Sequence, residues 1–395
     1  MVNSSTFDTP LTDFKSVIKK KRSSSFVVKD QNSIYSFKMS ASSVNDHALK
    51  HLTPPEILQI QEWNKNETEP LDLCIHDILH QQALRTPDRP AICSWDGDLT
   101  YSELDRLSTR LGHYLVSKYD LKIEDVVAFT FEKSISAVIT IFAVSKAGGI
   151  LMPLDPRMPQ SLWHQRIDQF GAKIAVTSHS FSNRFPASLA EKTLVVDTPF
   201  LHTLPDIPSE QACSEVRPGN GLLLAFTSGS TGKPKGILQE HMAFSTSCRD
   251  HGAAMMITSE SRTYQFSGYA FDTAISDMIC TFLVGGCVCL PSDTDRVNNL
   301  AASITELKAN VACLTPSAAD SLYPEEVTTL KVLSLGGEAL TEKLVEKWAP
   351  SVTLINIYGV TECVSSTFHS SNSLSYFERP VLILPDCMVH GHTTH

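Results

Sequence analysis

The stretch Leu222–Gly236, with the sequence LLLAFTSGSTGKPKG, most constrains how this chain can fold. Its apolar beginning, bounded by turn residues, predicts a short buried strand. Gly229 and Gly232 lie among hydroxyl and lysine side chains, and glycine permits positive φ and close backbone approach. Successive backbone N–H groups can then surround an anion, so the loop suits a polyphosphate, with an exposed polar turn as the alternative. It is not the Walker loop, because Pro234 follows Lys233 where that loop has Ser or Thr.

Charge and cysteine usage limit the class of protein. The net charge of -10 argues against nucleic acid or an anionic membrane as the main partner. The 10 cysteines form no CxxC pair and no zinc-binding spacing with histidine, which indicates reduced thiols and predicts a cytoplasmic protein. The most apolar long stretch, Ile135–Leu154, contains Lys146 and a Gly-Gly pair. A helix followed by a strand is favoured there over a membrane span.

Helical and strand patterns alternate along the chain before the glycine-rich loop. Thr100 and Glu103 form a capping-box pattern at the start of a predicted helix. A buried strand is predicted at Val126–Phe131 and another at Lys173–Thr177, with a helix between them. This alternation predicts βαβ units and a parallel sheet. After the loop we predict a helix over Ile237–Cys248, whose N-terminal dipole would assist phosphate binding.

Five sequence blocks, in order, resemble the adenylate-forming enzymes. TSGSTGKPKG resembles their phosphate loop, and the other blocks are LTYSELDRLSTRLGHYL, SKAGGILMPLDPRMP, YAFDTAISD and INIYGVTE. Within that family the chain most resembles an adenylation domain of a nonribosomal peptide synthetase, over about residues 70–370. The resemblance implies an α/β fold, the large N-terminal subdomain of these enzymes, with mostly parallel sheets flanked by helices.

The resemblance also assigns residues that handle ATP and Mg²⁺. Asn356 and Tyr358 would meet the adenine, Thr361 would contact the α-phosphate, and Glu362 would hold Mg²⁺, which prefers oxygen ligands. The implied catalytic residues are Lys235, Thr361 and Glu362. The implied ATP-binding residues are Thr227, Ser228, Gly229, Ser230, Thr231, Gly232, Lys235, Gly336, Gly337, Glu338, Asn356 and Tyr358. Val360 replaces the proline usual in the last block, which leaves the polar side chains in place.

The prediction of the substrate class rests on Asp272. In adenylation domains for α-amino acids, the corresponding aspartate binds the substrate ammonium group through a charge-assisted hydrogen bond. A helix cap is the alternative role for this residue. By resemblance, the residues around the substrate are Asp272, Thr273, Ser276, Leu314, Leu333, Leu335, Ile357, Ser365 and Ser366. Because this set has no counter-charge besides Asp272, it predicts a neutral amino acid, apolar or aromatic.

Domain boundaries follow from composition and resemblance. Residues 1–50 are rich in Ser, Asn and Lys and predict disorder. Residues 51–70 resemble a linker between condensation and adenylation domains, with a plain lead-in segment as the alternative. By the same resemblance, residues 71–370 would form the adenylation N-terminal subdomain and residues 371–395 a divergent tail. We expect the family's C-terminal lid and the serine for phosphopantetheine to be absent from this chain.

The sequence therefore predicts ATP-dependent activation of an amino acid to an aminoacyl-adenylate and pyrophosphate, with Mg²⁺, in secondary metabolism. Other synthetase modules or a carrier protein are the expected partners. Loss of the lid would impair the reaction, because catalysis of this transfer rests on positioning and charge. Three alternatives stay open at this point: an inactive synthetase remnant that binds ATP or a partner, an acyl-CoA or aryl-acid ligase, and an interaction module formed by residues 1–70.

Overall fold

The computed structural model describes the backbone of strands 25–29 and 34–38, residues 69–209, 211–227, 235–361 and 364, and the backbone of 365–370. Within these residues the strands form two eight-stranded sheets. The predicted phosphate-loop residues Ser228–Pro234 and the predicted metal ligand Glu362 lie outside the described residues.

The strands are numbered in chain order. They are β1 Ser25–Lys29, β2 Ile34–Lys38, β3 Pro90–Ser94, β4 Gly97–Thr100, β5 Val126–Thr130, β6 Ile150–Pro153, β7 Ile174–Thr177, β8 Thr193–Val195, β9 Gly221–Thr227, β10 Lys235–Glu240, β11 Arg262–Tyr264, β12 Cys287–Leu290, β13 Val311–Leu314, β14 Val332–Gly336, β15 Thr353–Val360 and β16 Ser365–Ser370.

The α-helices of the described residues are numbered in the same way. They are α1 Ile75–Arg85, α2 Tyr101–Tyr119, α3 Ile135–Ala147, α4 Gln160–Phe170, α5 Thr198–Thr203, α6 His241–Ala254, α7 Asp272–Leu283, α8 Asp293–Asn298, α9 Leu300–Glu306, α10 Pro316–Asp320 and α11 Glu342–Trp348. Short 3-10 helices occupy His179–Arg184, Ala187–Lys192 and Pro324–Glu326.

Parallel pairing dominates the centre of both sheets. The first sheet has the order β2-β1-β10-β9-β6-β5-β7-β8, and β9, β6, β5, β7 and β8 run parallel. The second has the order β16-β15-β14-β13-β11-β12-β3-β4, with antiparallel pairing only at β16 and β4 among its described strands. The predicted α/β fold with mostly parallel sheets flanked by helices is confirmed.

One hydrophobic core joins the two sheets through helices. It includes Val127 and Leu223 of the first sheet, Val288 and Ile355 of the second, and residues of α1, α2, α3, α6 and α7. Helix α3 is buried along all 13 residues, so other parts of the protein surround it on every side. The predicted helix-then-strand arrangement of Ile135–Leu154 is therefore confirmed. No described helix is both long enough and apolar enough to cross a bilayer.

Helix α2 begins where the capping-box pattern predicts. The Glu103 N–H donates to Thr100 Oγ1 at 3.3 Å, and the Thr100 N–H donates to Glu103 Oε2 at 2.8 Å. Two N–H groups without partners inside the helix are thereby satisfied. The start of α2 is thus set by contacts between residues close in the sequence.

The helix predicted at Ile237–Cys248 is wrong in its first part. Lys235–Glu240 is strand β10, which pairs antiparallel with β9, and α6 begins only at His241. Ile237 is buried in the sheet, and that burial overrides its helical pattern. The N-terminus of α6 lies six residues beyond Lys235, roughly 20 Å along a strand that rises about 3.3 Å per residue. The predicted help from a helix dipole at the phosphate loop is therefore wrong as well.

Two strands lie inside the N-terminal region for which we predict disorder. β1 pairs antiparallel with β10, and β2 pairs antiparallel with β1, so both extend the first sheet. The other residues of 1–68 and residues 371–395 lie outside the described residues. The predictions of a linker at 51–70 and of a divergent tail stay predictions.

Candidate functional site

A cavity of about 880 Å³ lies at the carboxyl ends of strands from both sheets. Its wall includes residues just at or after the ends of β5, β6, β11, β13, β14 and β15, together with the first turns of α7. Ligands of open α/β sheets bind at this edge, where polar side chains and free backbone groups converge. The cavity is large enough for a small-molecule ligand.

The structure brings many of the predicted site residues together in this cavity. Those that line it are Asp272, Thr273, Ser276, Leu314, Gly336, Gly337, Ile357 and Thr361. The predicted residues Thr227, Lys235, Glu338, Asn356 and Tyr358 are not part of its wall. The Tyr358 side chain is 55% exposed and so accessible to a ligand, while Glu338 accepts hydrogen bonds from the backbone and hydroxyl of Ser317.

Strand β16 brings two further predicted residues beside the cavity. The backbone of Ser365 pairs with that of Val360, and the backbone of Ser366 pairs with that of Gly359. Val360 and Gly359 both line the cavity. The antiparallel pairing of β15 and β16 therefore carries this part of the chain back along the site.

The assignment of Leu333 and Leu335 to the substrate pocket is wrong. Both side chains are fully buried in a separate core that includes Trp348. Successive side chains of a strand point to opposite faces, so a set chosen one residue out of register falls on the wrong face. The alternate face of β14 carries Gly336, which lines the cavity, and Ser334, whose buried hydroxyl finds no partner among the described residues.

Asp272 lies at the start of a helix and at the wall of the cavity. It is the first residue of α7, with Phe271 as N-cap, and its Oδ1 accepts a hydrogen bond from the Thr273 N–H at 2.8 Å. A carboxylate at this position is stabilised by the positive end of the helix dipole. The same side chain also lines the cavity. The helix start therefore fixes a negative charge where a cationic group of a ligand can reach it.

The first turns of α7 supply a second acid, fully buried, that sequence reasoning missed. Asp277 lies four residues after Thr273, so both occupy one helix face, and both line the cavity. Burial raises the pKa of Asp277 to about 7, and the charge of Lys133 opposes the rise. Its Oδ2 has no hydrogen-bond partner in the part of the chain that the structure describes. The four-residue spacing was the signal that could have identified it.

Lys133 lines the same cavity, and its charge acts on this acid. Its Nζ donates to the carbonyl of Ser267 and lies 4.3 Å from the centre of the Tyr269 ring. Burial, with Arg296 adding to it, lowers the pKa of Lys133 to about 7. Lys133 and Asp277 balance each other's charge, so this part of the wall presents no net charge to a ligand.

Two glycines keep the β14 edge of the cavity open. Gly337 has φ of +83°, a conformation that side-chain-bearing residues rarely adopt. A Cβ on Gly336 would lie 2.8 Å from the carbonyl oxygen of Ile357, closer than atoms can approach. The wall of the cavity at the end of β14 is therefore formed by backbone without side chains.

A cluster of potential metal ligands lies elsewhere in the described residues. Single ligand atoms of Cys74, His76 and His241 fall within 4.8 Å of one another. The rings of His76 and His241 pack edge to face with centroids 5.5 Å apart, and His241 Nδ1 accepts a hydrogen bond from the Ile75 N–H. Burial lowers the pKa of His76 to about 3. We interpret this cluster as neutral packing between α1 and α6.

The raised pKa of Glu240, at the end of β10, predicts that the stability of the folded protein depends on pH. Burial, together with the nearby charge of Glu124, raises the pKa of Glu240 from 4.5 to about 7. Because the folded-state pKa is raised, ionisation destabilises the fold increasingly as the pH rises from about 4.5 to about 7. Glu240→Gln should therefore stabilise the protein by about 1–2 kcal/mol at pH 8, after discounting for partial exposure, and by almost nothing near pH 4.5.

Denaturant unfolding of the wild type and the variant across this pH range measures the effect. Glu346→Gln, on the exposed surface of α11, is the matched control and should follow the wild type at every pH. If Glu240→Gln stabilised the protein by the same amount at every pH, the stabilisation would not come from the ionisation of Glu240.

Two mostly parallel sheets joined by a shared helical core, with a cavity at their strand ends, define the large subdomain of adenylate-forming enzymes. The family model described as AMP-binding enzyme matches residues 79–385. The chain therefore belongs to the AMP-binding enzyme family, whose members use ATP.

Curated relatives include fungal peptide synthetases. The chain is 40% identical over 321 residues to "Nonribosomal peptide synthetase 4" of Gibberella zeae, which covers 81% of this chain and 4% of that protein. It is 41% identical over 326 residues to "Nonribosomal peptide synthetase atnA" of Emericella nidulans, covering 82% of this chain and 4% of the relative. The chain thus spans a small fraction of the length of these relatives.

Solved structures show the same fold. The nonribosomal peptide synthetase FmoA3 superposes with a TM-score of 0.72 at 22% identity, covering 84% of this chain and 35% of that chain. VinN in complex with L-aspartate superposes with a TM-score of 0.69 at 21% identity, covering 76% of this chain and 79% of that chain.

Proposed function

We propose that this chain is an adenylation domain that activates an α-amino acid with ATP. The domain occupies residues 71–370, and residues 51–70 are its linker. The observation that carries the proposal is the position of Asp272 on the same cavity wall as Gly336, Gly337 and Thr361. In this proposal Asp272 anchors the ammonium group, and the other three residues border the nucleotide.

The proposed reaction joins two substrates within this cavity. A carboxylate oxygen of the amino acid attacks the α-phosphorus of ATP, a new P–O bond forms, and the bond to pyrophosphate breaks. Asp272 holds the ammonium group, and Thr361 contacts the α-phosphate. The rate gain comes from holding both substrates in line and from donors aimed at the developing charge. Lys235, at the start of β10, supplies positive charge at the end of the phosphate loop.

Mg²⁺ is proposed as the metal that accompanies ATP. Glu362 directly follows Thr361 in the sequence, and Thr361 lines the cavity. A carboxylate at this place suits a hard cation that binds oxygen. The metal would supply charge neutralisation on the phosphates, while the residues of this chain orient the two substrates.

A neutral amino acid is the proposed substrate, with an apolar or aromatic side chain. Thr273, Ser276, Leu314 and Ile357 form a neutral part of the wall near Asp272. Lys133 and Asp277 compensate each other, so neither offers an uncompensated charge to a charged substrate side chain. A carrier domain and other synthetase modules are proposed partners, supported by the similarity to peptide synthetases.

Amino-acid-dependent exchange between ATP and labelled pyrophosphate tests this function. The purified chain is assayed with each of the common amino acids and with matched carboxylic acids that lack the amino group. Exchange with one neutral amino acid supports the proposal. Exchange with the carboxylic acids alone would indicate an acyl or aryl-acid ligase. ATP binding without any exchange would indicate a chain that binds nucleotide but does not activate substrates.

A further inference from the structure

Gln239 is a buried polar residue that neither the sequence motifs nor the family match places in the site. It lies on β10 with a fully buried side chain, four residues after Lys235. Its neighbours Ile237 and Leu238 are apolar core residues. A glutamine amide in such surroundings is unfavourable unless it is hydrogen-bonded, so its contacts indicate what holds it there.

The Gln239 amide contacts two residues of the proposed site from two different elements. Nε2 donates to the Thr361 carbonyl at 2.5 Å and to Asp272 Oδ2 at 3.4 Å. An amide nitrogen carries two hydrogens, so both contacts can exist at once. Asp272 belongs to α7, and Thr361 follows β15 of the second sheet. Gln239 belongs to the first sheet and therefore links both site residues to it.

This link has a chemical consequence. A hydrogen bond to a carboxylate restricts its orientation and stabilises its charged form, which is the form that binds an ammonium group. The bond to the Thr361 carbonyl fixes the backbone next to the residue proposed to contact the α-phosphate. One side chain thus fixes the relative position of the two substrates, whose alignment controls the rate of the transfer.

We propose that Gln239 is a positioning residue for amino-acid activation, which holds the Asp272 carboxylate and the Thr361 backbone in register. The inference rests on the proposed function. Gln239 itself acts through these two groups and contacts neither reacting atom. The Oε1 atom has no partner among the described residues, so the amide is held in the site through its nitrogen.

Gln239→Met, which keeps the length of the side chain but removes the amide, is the test variant. We expect its KM for the amino acid to rise about tenfold and its kcat to fall about tenfold, as one lost charge-assisted contact implies. Its KM for ATP should stay near the wild-type value, because most nucleotide contacts lie elsewhere. Gln239→Glu brings a second carboxylate to Asp272 and should raise the KM for the amino acid further as the pH rises.

Gln265→Met is the matched control. Gln265 is also a fully buried glutamine, and its Nε2 donates to the carbonyl of Ala274 in the same helix α7 at 2.9 Å. Within the described part of the chain, its side chain makes no hydrogen bond to Asp272 or Thr361. The control should therefore keep the KM for the amino acid. Equal changes in both methionine variants would overturn the proposal, because they would show a general effect of losing a buried amide.

A stability cycle tests the same contact without any activity. Gln239→Met, Asp272→Ala and the double variant are compared by thermal unfolding. If Nε2 donates to Asp272, the double variant should lose less than the sum of the single shifts, by about 2 °C or more. Additive shifts would overturn the proposed contact, even if the wild type showed no exchange with any amino acid. Absence of exchange in the wild type alone would instead reject the proposed function.

Discussion

Replacing Asp272 with alanine is expected to lower amino-acid-dependent exchange by about a hundred- to a thousandfold. The carboxylate lines the cavity at the start of α7, where the Gln239 amide donates a hydrogen bond to it. Without it, the substrate ammonium enters the cavity with no opposing charge, and its desolvation is not compensated. The residues proposed to bind ATP do not include Asp272, so ATP affinity should remain close to that of the wild type.

Steady-state exchange and a direct measurement of ATP binding together check this result. Asp293→Asn is the matched control, because Asp293 also lines the cavity but pairs with Arg296 at 3.0 Å. That pair is partly exposed, and its loss should reduce activity by about fivefold or less. Equal loss of ATP binding and exchange in Asp272→Ala would mean that the carboxylate acts only as a helix cap.

Replacing Asp105 with alanine is expected to lower the free energy of unfolding by about 3–5 kcal/mol. Lys146 Nζ lies 2.5 Å from Asp105 Oδ1, and both side chains are buried. Nζ also donates to Thr109 Oγ1, and the other carboxylate oxygen contacts His80. The network joins α1, α2 and α3. Removal of the acid leaves a buried ammonium without a counter-charge, although burial already lowers the pKa of Lys146.

Denaturant unfolding of Asp105→Ala and of one double variant checks the origin of this loss. The double variant Asp105→Leu, Lys146→Met removes both charges and replaces them with apolar side chains of comparable size. It should be clearly more stable than Asp105→Ala, because a buried pair is less damaging to remove as a whole than to break. A double variant as unstable as the single one would attribute the loss to packing rather than to the unpaired charge.

The sequence correctly predicted the elements whose signals are local. The capping box at Thr100 and Glu103 fixes the start of α2 through contacts three residues apart. The apolar run over Ile135–Leu154 gives a helix and then a strand, because Gly148 at positive φ ends the helix. The start of α7 at Asp272 also agrees with the prediction, since an acid in the first turn is a local signal.

Two predictions were wrong because they depended on how a strand pairs or on which way its side chains face. Ile237 and Leu238 have a pattern that suits a helix, yet pairing with β9 makes them strand. Leu333 and Leu335 were assigned one position out of register, and alternation along β14 carries them into the core instead of the cavity. Neither error could be detected from the sequence, because the sequence of one strand does not specify its neighbours.

The sequence by itself determined the family, the α/β class, and the order of the blocks that supply the site, since these depend on residue types at short spacing. Only the tertiary structure decided which side chains meet. Lys133 and Asp277 are 144 positions apart, and Gln239 and Thr361 are 122 positions apart, yet each pair shares one cavity or one hydrogen bond. Burial then sets the pKa of the acid and the lysine, and the alignment of two sheets brings the amide to Asp272. Both effects arise from packing between distant segments, which local sequence patterns do not encode.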